Sequence, residues 1–166
     1  MLNHKMTQLS LTTLVSLTTL VSLTLILLLG CSSYAEVRKD TSLANKGYAT
    51  ANRLVSTTWV NSNRNHQNIK IIDIRKPEDY NAGHIPNAVN FPYTELQVDK
   101  NGISGMLPSA EYMEDKLRNL GISPEDTIVI YDHIKNLWST RLLWTLDVYG
   151  HEDTRIMDGA WGLWET

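Results

Sequence analysis

The chain has a single cysteine, Cys31, among its 166 residues, so no disulfide can form within it. It has no basic surplus. Fifteen lysines and arginines face eighteen aspartates and glutamates, for a net charge of −3. That balance lacks the electrostatic footprint of a nucleic-acid binder. The histidines at 4, 66, 84, 133 and 151 are scattered, with no metal-ligand spacing, so neither a metal nor a cofactor is expected. Charge is also missing locally. Lys5 is the one formal charge in the first eight residues, and none follows from Leu9 to Ala35.

That uncharged stretch is rich in Leu, Val and Ile. It contains the six-residue repeat LTTLVS at 11–16 and 17–22, as if only apolar character mattered. A short positive start followed by an apolar run reads as a signal segment. Its apolar part, residues 9–30, leads into Leu28-Leu29-Gly30-Cys31-Ser32, which is similar to the bacterial lipobox. The resemblance implies cleavage before Cys31 and lipid attachment to its thiol. Each buried methylene of the acyl chains would contribute roughly 0.8 kcal/mol of anchoring. Two other readings stay open: an uncleaved transmembrane helix, and a chance Cys after a plain signal peptide. The domain expectation is a lipoprotein signal peptide over 1–30, a polar tether over 31–47, and a folded domain over 48–166. The location expected is the cell envelope, lipid-anchored on the periplasmic side. Ser32 after the Cys favours the outer membrane in a diderm host.

Downstream, Ser56 is placed to cap a short helix whose Trp59 and Val60 face inward. Ile69–Ile74 is a β-branched run of strand length, suited to burial on both faces. Pro77, Glu78 and Asp79 suit the first turn of a helix that Gly83 stops. His84-Ile85-Pro86-Asn87-Ala88 reads as a turn into a strand at Val89-Asn90-Phe91. Residues 94–108 read as loop, with turn signals at Asn101-Gly102 and Ser104-Gly105. Ser109 caps a helix with an inward stripe of Met113, Leu117 and Leu120, ended by Gly121. Thr127–Tyr131 is the clearest buried strand, and 132–138 a loop into a helix from about Ser139 to Tyr149. A strand over 154–158 and the start of a helix at 159–161 complete the pattern. Strands alternating with helices predict an α/β fold: a parallel sheet flanked by helices on both faces. Sites in such sheets form at the carboxyl ends of strands, here after Ile74 and after Tyr131.

The stretch from about Leu54 to Glu165 resembles the rhodanese (thiosulfate sulfurtransferase) family. The resemblance rests on LVSTTW at 54–59, Asp73-Ile74-Arg75 with Tyr80, Gly83-His84-Ile85-Pro86-Asn87-Ala88-Val89, and Leu120-Gly121-Ile122. It continues through Ile128-Val129-Ile130-Tyr131-Asp132, Tyr149-Gly150-His151 and Met157-Asp158-Gly159-Ala160-Trp161. It implies sulfur transfer through a persulfide on a Cys at the end of a central strand. Here Asp132 stands at that place, and a carboxylate cannot form a persulfide. No catalytic residue is therefore expected in this chain. Asp132 with Trp144 and the Asp-Gly-Ala-Trp ending is similar to the first module of two-domain sulfurtransferases, whose second module carries the Cys. The expectation is an inactive first module, cut short at an unfinished last helix, whose partner is a second rhodanese module. The alternative is a complete, non-enzymatic, membrane-tethered binding module.

Other residues have plainer readings. Asp73 and Arg75 form an ion pair pinning a strand-to-helix turn rather than an anion site. His84 hydrogen-bonds locally within its turn rather than acting as a base. Asp132 and His133 are adjacent, and no Ser completes a triad with them. Lys135 and Arg141 are either attractors for thiosulfate or a solvated loop and helix face. Trp138, Trp144, Trp161 and Trp164 belong to the core or to a domain interface.

Overall fold

The structure, a computed structural model, describes residues 40–166; the expected signal peptide and Cys31 lie outside the described residues. Seven strands form in order: β1 (Leu54–Val55), β2 (Ile69–Asp73), β3 (Ala88–Asn90), β4 (Val98–Lys100), β5 (Ile103–Met106), β6 (Thr127–Tyr131) and β7 (Thr154–Met157). Among the described residues five α-helices accompany them: α1 (Thr57–Asn63), α2 (Pro77–Ala82), α3 (Ala110–Asn119), α4 (Leu137–Val148) and α5 (Ala160–Trp164). Short 3-10 turns lie at Thr41–Lys46, Ala51–Arg53 and Tyr93–Leu96. Among the described residues no helix is long and apolar enough to cross a membrane.

The main sheet has the order β1-β7-β6-β2-β3, with every pairing parallel. This is the expected α/β architecture. Period-two alternation divides the core between the two faces. Ile69, Ile71, Val129 and Tyr131 join Val55, Trp59, Val60 and Met157 in one cluster, against which Trp161 and Trp164 pack. Ile72, Ile74, Ile128 and Ile130 join Met113, Leu142 and Leu146 in the other. Each large side chain so buried contributes about 1.5–3 kcal/mol. Helices α1 and α5 thus cover one face, and α3 and α4 the other.

Local signals act as expected at the helix ends. Ser56 Oγ accepts the Trp59 amide at 3.1 Å, and Ser109 Oγ the Tyr112 amide at 3.2 Å. Gly121 ends the α3 segment at φ 71°, a conformation that a β-carbon disfavours. Three differences stand out. Leu54 and Val55, expected only as a lead-in to a helix, pair with Ile156 and Met157 before Ser56 starts α1. Residues 94–108 are not merely loop: β4 and β5 form an antiparallel hairpin across Asn101 (φ 54°) and Gly102 (φ 78°). Both turn residues have positive φ, the geometry that matches hairpin twist. A segment of the expected tether also packs on the domain. Leu43 is buried, and Asp40 accepts the amide and hydroxyl of Ser56 at 2.7 and 2.6 Å.

Strand β2 connects onward to β3 on one side, and β6 to β7 on the other. The chain therefore parts at the carboxyl ends of β2 and β6, where a crevice forms in parallel sheets.

At the opposite end, Gly150 closes α4 and places His151 with Nδ1 3.2 Å from the Thr154 hydroxyl. Burial pushes the His151 pKa down, and the nearby Asp153, Asp126 and Asp147 pull it up without offsetting that. The unfolded chain thus binds more protons than the folded one just below the ordinary histidine pKa, about 6.5. Stability from this site is complete above that pH and is lost as pH falls through it toward the lower folded value. Thermal melts between pH 7.5 and 5.5 should show a falling midpoint, and His151→Gln should flatten that slope.

Candidate functional site

Two buried carboxylates lie at the parting point, each answered differently. Asp73, at the end of β2, is fully buried. Its Oδ1 accepts the Arg75 amide at 2.9 Å, and Arg75 Nε spans both oxygens at 3.0 and 3.1 Å. Arg75 Nη2 donates to Asp73 Oδ2 and to the Gly83 carbonyl, each at 2.6 Å. Tyr131, ending β6, donates its hydroxyl to Asp73 Oδ2 at 2.6 Å and accepts the Ile85 amide at 3.1 Å. Burial, then the Asp73 charge, pushes the Tyr131 pKa far up, so it stays a neutral donor. The Arg75 guanidinium lies 4.2 Å from the centre of the Trp161 ring. One ion pair therefore joins β2, β6, the Gly83 turn and α5, as the pinning reading of Asp73 and Arg75 requires.

Asp132 follows Tyr131 and is also buried. Its Oδ1 accepts the amides of Ile134 at 2.9 Å and Asn136 at 2.8 Å. Its Oδ2 accepts those of Trp138 at 2.9 Å and Ser139 at 3.2 Å. Its own carbonyl receives the Trp161 amide at 2.7 Å. The loop curls around the carboxylate because Lys135 (φ 50°) and Asn136 (φ 64°) are both left-handed. Asparagine tolerates that region; for Lys135 it costs roughly 1–2 kcal/mol. Asn136 Nδ2 also ties the loop to the Met157 carbonyl at 3.1 Å. The left-handed Asn136 starts α4 at Leu137, two residues earlier than the sequence suggested. The twelve-residue helix aims its positive end at the carboxylate. The cradle thus holds one negative charge, supplied by the chain itself.

The remaining candidates separate from this centre. His133 is exposed, while both Asp132 oxygens are taken by amides, so the structure assembles no triad from them. His84 stacks on Tyr80 at 3.9 Å, with Nδ1 2.9 Å from the Tyr80 carbonyl: a local contact, but back to α2 rather than within its turn. Arg141 turns away to donate to the Gly105 carbonyl at 2.7 Å, and Lys135 is exposed. Trp138 stacks on Tyr93 at 4.4 Å. Among the described residues no cluster of His, Cys, Asp or Glu is placed to hold a metal ion. A cleft of about 260 Å³ opens beside the cradle, walled by Arg75, Gly83, His133 and Trp161. Sequence reasoning did not find Tyr131 as the hub, although a polar hydroxyl closing an otherwise apolar strand was its signal. It also overlooked Asn90, whose Nδ2 bridges the carbonyls of Asp73 and Arg75 at 2.9 and 3.0 Å.

Removing the carboxylate should leave buried amides without an acceptor. Asp132→Ala is expected to destabilise the domain by about 3 kcal/mol in urea unfolding, and added sulfate to recover some of that loss. Equal stability of parent and variant would contradict the cradle.

Comparison with known proteins agrees with this geometry. Residues 56–166 match the family model described as a rhodanese-like domain. The Arabidopsis thaliana thiosulfate/3-mercaptopyruvate sulfurtransferase 2 is 31% identical over 135 residues, covering 74% of this chain and 40% of that protein. The sulfur carrier protein TtuD of Thermus thermophilus is 31% identical over 121 residues, covering 71% of this chain and 41% of its own length. Among solved structures, the 3-mercaptopyruvate sulfurtransferase SseA of Escherichia coli superposes with a TM-score of 0.62 at 28% identity. That superposition covers 68% of this chain and 47% of the other. The chain spans about two fifths of the length of the curated relatives it matches. With its parallel sheet, its strand-end loop and the matched residues 56–166, the chain belongs to the rhodanese-like family.

Proposed function

We propose that this chain is a non-catalytic rhodanese-like module of a sulfurtransferase, working beside a second module that carries the nucleophile. The observation behind this reading is the occupant of the strand-end cradle. Asp132 takes the place where the family's chemistry needs a thiolate, and its carboxylate consumes four loop amides. Those donors are the groups that would otherwise stabilise a persulfide anion. A carboxylate has no sulfur to give or receive and cannot leave the cradle as a product would. The share of the relatives' length that the chain covers is that of one module in two. Leu163 on α5 is exposed, and Trp161 and Trp164 are half-buried beside it, a surface a neighbouring module would cover. The purified chain should give no thiosulfate:cyanide sulfur transfer, measured as thiocyanate formed. Turnover above the uncatalysed rate would overturn the inactive reading. Reading the coding sequence beyond Thr166 is the companion test: a second module with Cys at the position matching Asp132 would support the reading.

We propose further that the module works in the cell envelope, held by lipid on Cys31 after removal of residues 1–30. The support is the uncharged run 9–35, which contains the Leu28-Leu29-Gly30-Cys31 sequence. Mass spectrometry of the membrane fraction should find acylated Cys31 at the mature N-terminus. A Cys31→Ser variant should lose both processing and retention; unchanged behaviour would sink the anchor.

A further inference from the structure

Helix α4 is apolar on two sides. Leu142 and Leu146 are buried against the sheet, as expected of a covering helix. On the outside, however, Leu137, Trp144 and Val148 are 58%, 48% and 51% exposed, with Arg141 in the same row. That spacing (137, 141, 144, 148) is one continuous stripe. The β4–β5 hairpin presents a similar face. Val98 pairs with Met106 and Lys100 with Ile103, and cross-strand partners share a side. The extra residue falls on β5, where Gly105 adopts φ 76°. Val98, Lys100, Ile103 and Met106 therefore point one way, and Asp99 the other. All three apolar members are exposed, Ile103 at 61%.

Arg141 joins the two faces. It donates to the Gly105 carbonyl at 2.7 Å, and its guanidinium lies 4.9 Å from the centre of the Trp144 ring. The combined surface holds apolar side chains and two cations, Lys100 and Arg141. Of the acids nearest in sequence, Asp99 is on the far side of β4, and Asp147 is paired with Arg53 at 2.8 Å.

We propose that this face of the hairpin and α4 lies on an anionic phospholipid surface. The inference rests on the envelope reading above, and adds which side of the domain meets the bilayer. Three features favour lipid over a protein partner. The face sets Lys100 and Arg141 among exposed apolar side chains, which complements acidic headgroups. An exposed tryptophan such as Trp144 has the amphipathic ring that is enriched at the headgroup layer. The envelope reading, carried by the uncharged run 9–35, supplies the bilayer.

The test uses the full chain in vesicles whose phosphatidylglycerol carries bromine high on the acyl chains, with brominated phosphatidylcholine as comparison. In phosphatidylglycerol, emission should fall by about a fifth more than in phosphatidylcholine, the share of one tryptophan in five. Trp144→Phe should abolish that difference. Ile103→Glu with Lys100→Glu, both exposed on the hairpin, should reduce it while leaving the melting transition in place. Association with vesicles but identical quenching of parent and Trp144→Phe would overturn the face and leave the anchor standing. Failure of the parent to associate at all would overturn both. Concentration-dependent dimers in sedimentation, with Trp144 shielded from acrylamide in the absence of lipid, would make this a protein interface and reject the proposal.

Discussion

The carboxylate of Asp132 and the four amides around it hold together the region of the molecule that distinguishes it. A loop that turns its amides inward has unpaired donors beneath a protein surface, and each left unmet costs about 1–3 kcal/mol. Something anionic has to be there. In this chain the anion is a side chain, that of the residue following the last of β6. The left-handed Lys135 and Asn136, the start of α4 and the link from Asn136 to Met157 all follow from keeping that carboxylate enclosed. The Asp73–Arg75–Tyr131 cluster has the complementary role on the adjacent strand. It fixes the strand end that the loop springs from, and it does so with a cation rather than with backbone donors.

The two carboxylates differ in what they ask of the fold. A buried pair such as Asp73 and Arg75 carries a desolvation cost that attraction only roughly offsets, so its contribution is more to geometry than to net stability. Here that geometry is a junction. A single guanidinium meets the β2 carboxylate, the Gly83 carbonyl and the Trp161 ring. Among the described residues Asp132 has no cation of its own, and it depends on peptide dipoles. The site is therefore shaped by backbone conformation at 133–139 more than by side-chain identity there. This accounts for how its exposed members, His133, Ile134 and Lys135, can be unlike any catalytic set while the loop keeps its curl.

Much of this architecture was legible because burial leaves a periodic trace. Ile69–Ile74 and Thr127–Tyr131 are apolar on both sides of the strand, and only a sheet covered on both faces uses such runs. Ser56, Ser109 and Gly121 announce helix ends through chemistry confined to a few neighbouring residues. The hairpin was harder to see, since its residues are mostly exposed and carry no inward pattern; Asn101-Gly102 was its one signal. The bond from Tyr131 to Asp73 joins residues 58 apart, and no local pattern encodes it. Likewise, an aspartate after an apolar strand reads as a turn residue until the loop is seen closing over it. Its meaning came from family resemblance, and its geometry from the folded chain.

One consequence of the enclosed carboxylate concerns competition. A free anion binding such a loop does so according to its concentration, so the loop's order would rise and fall with the surrounding sulfate, phosphate or sulfur donor. A tethered carboxylate acts at a high effective concentration that dilution cannot change. The loop of this domain is thereby insulated from the ionic composition of the solution around it. Its surface stays constant, however the anions around it vary.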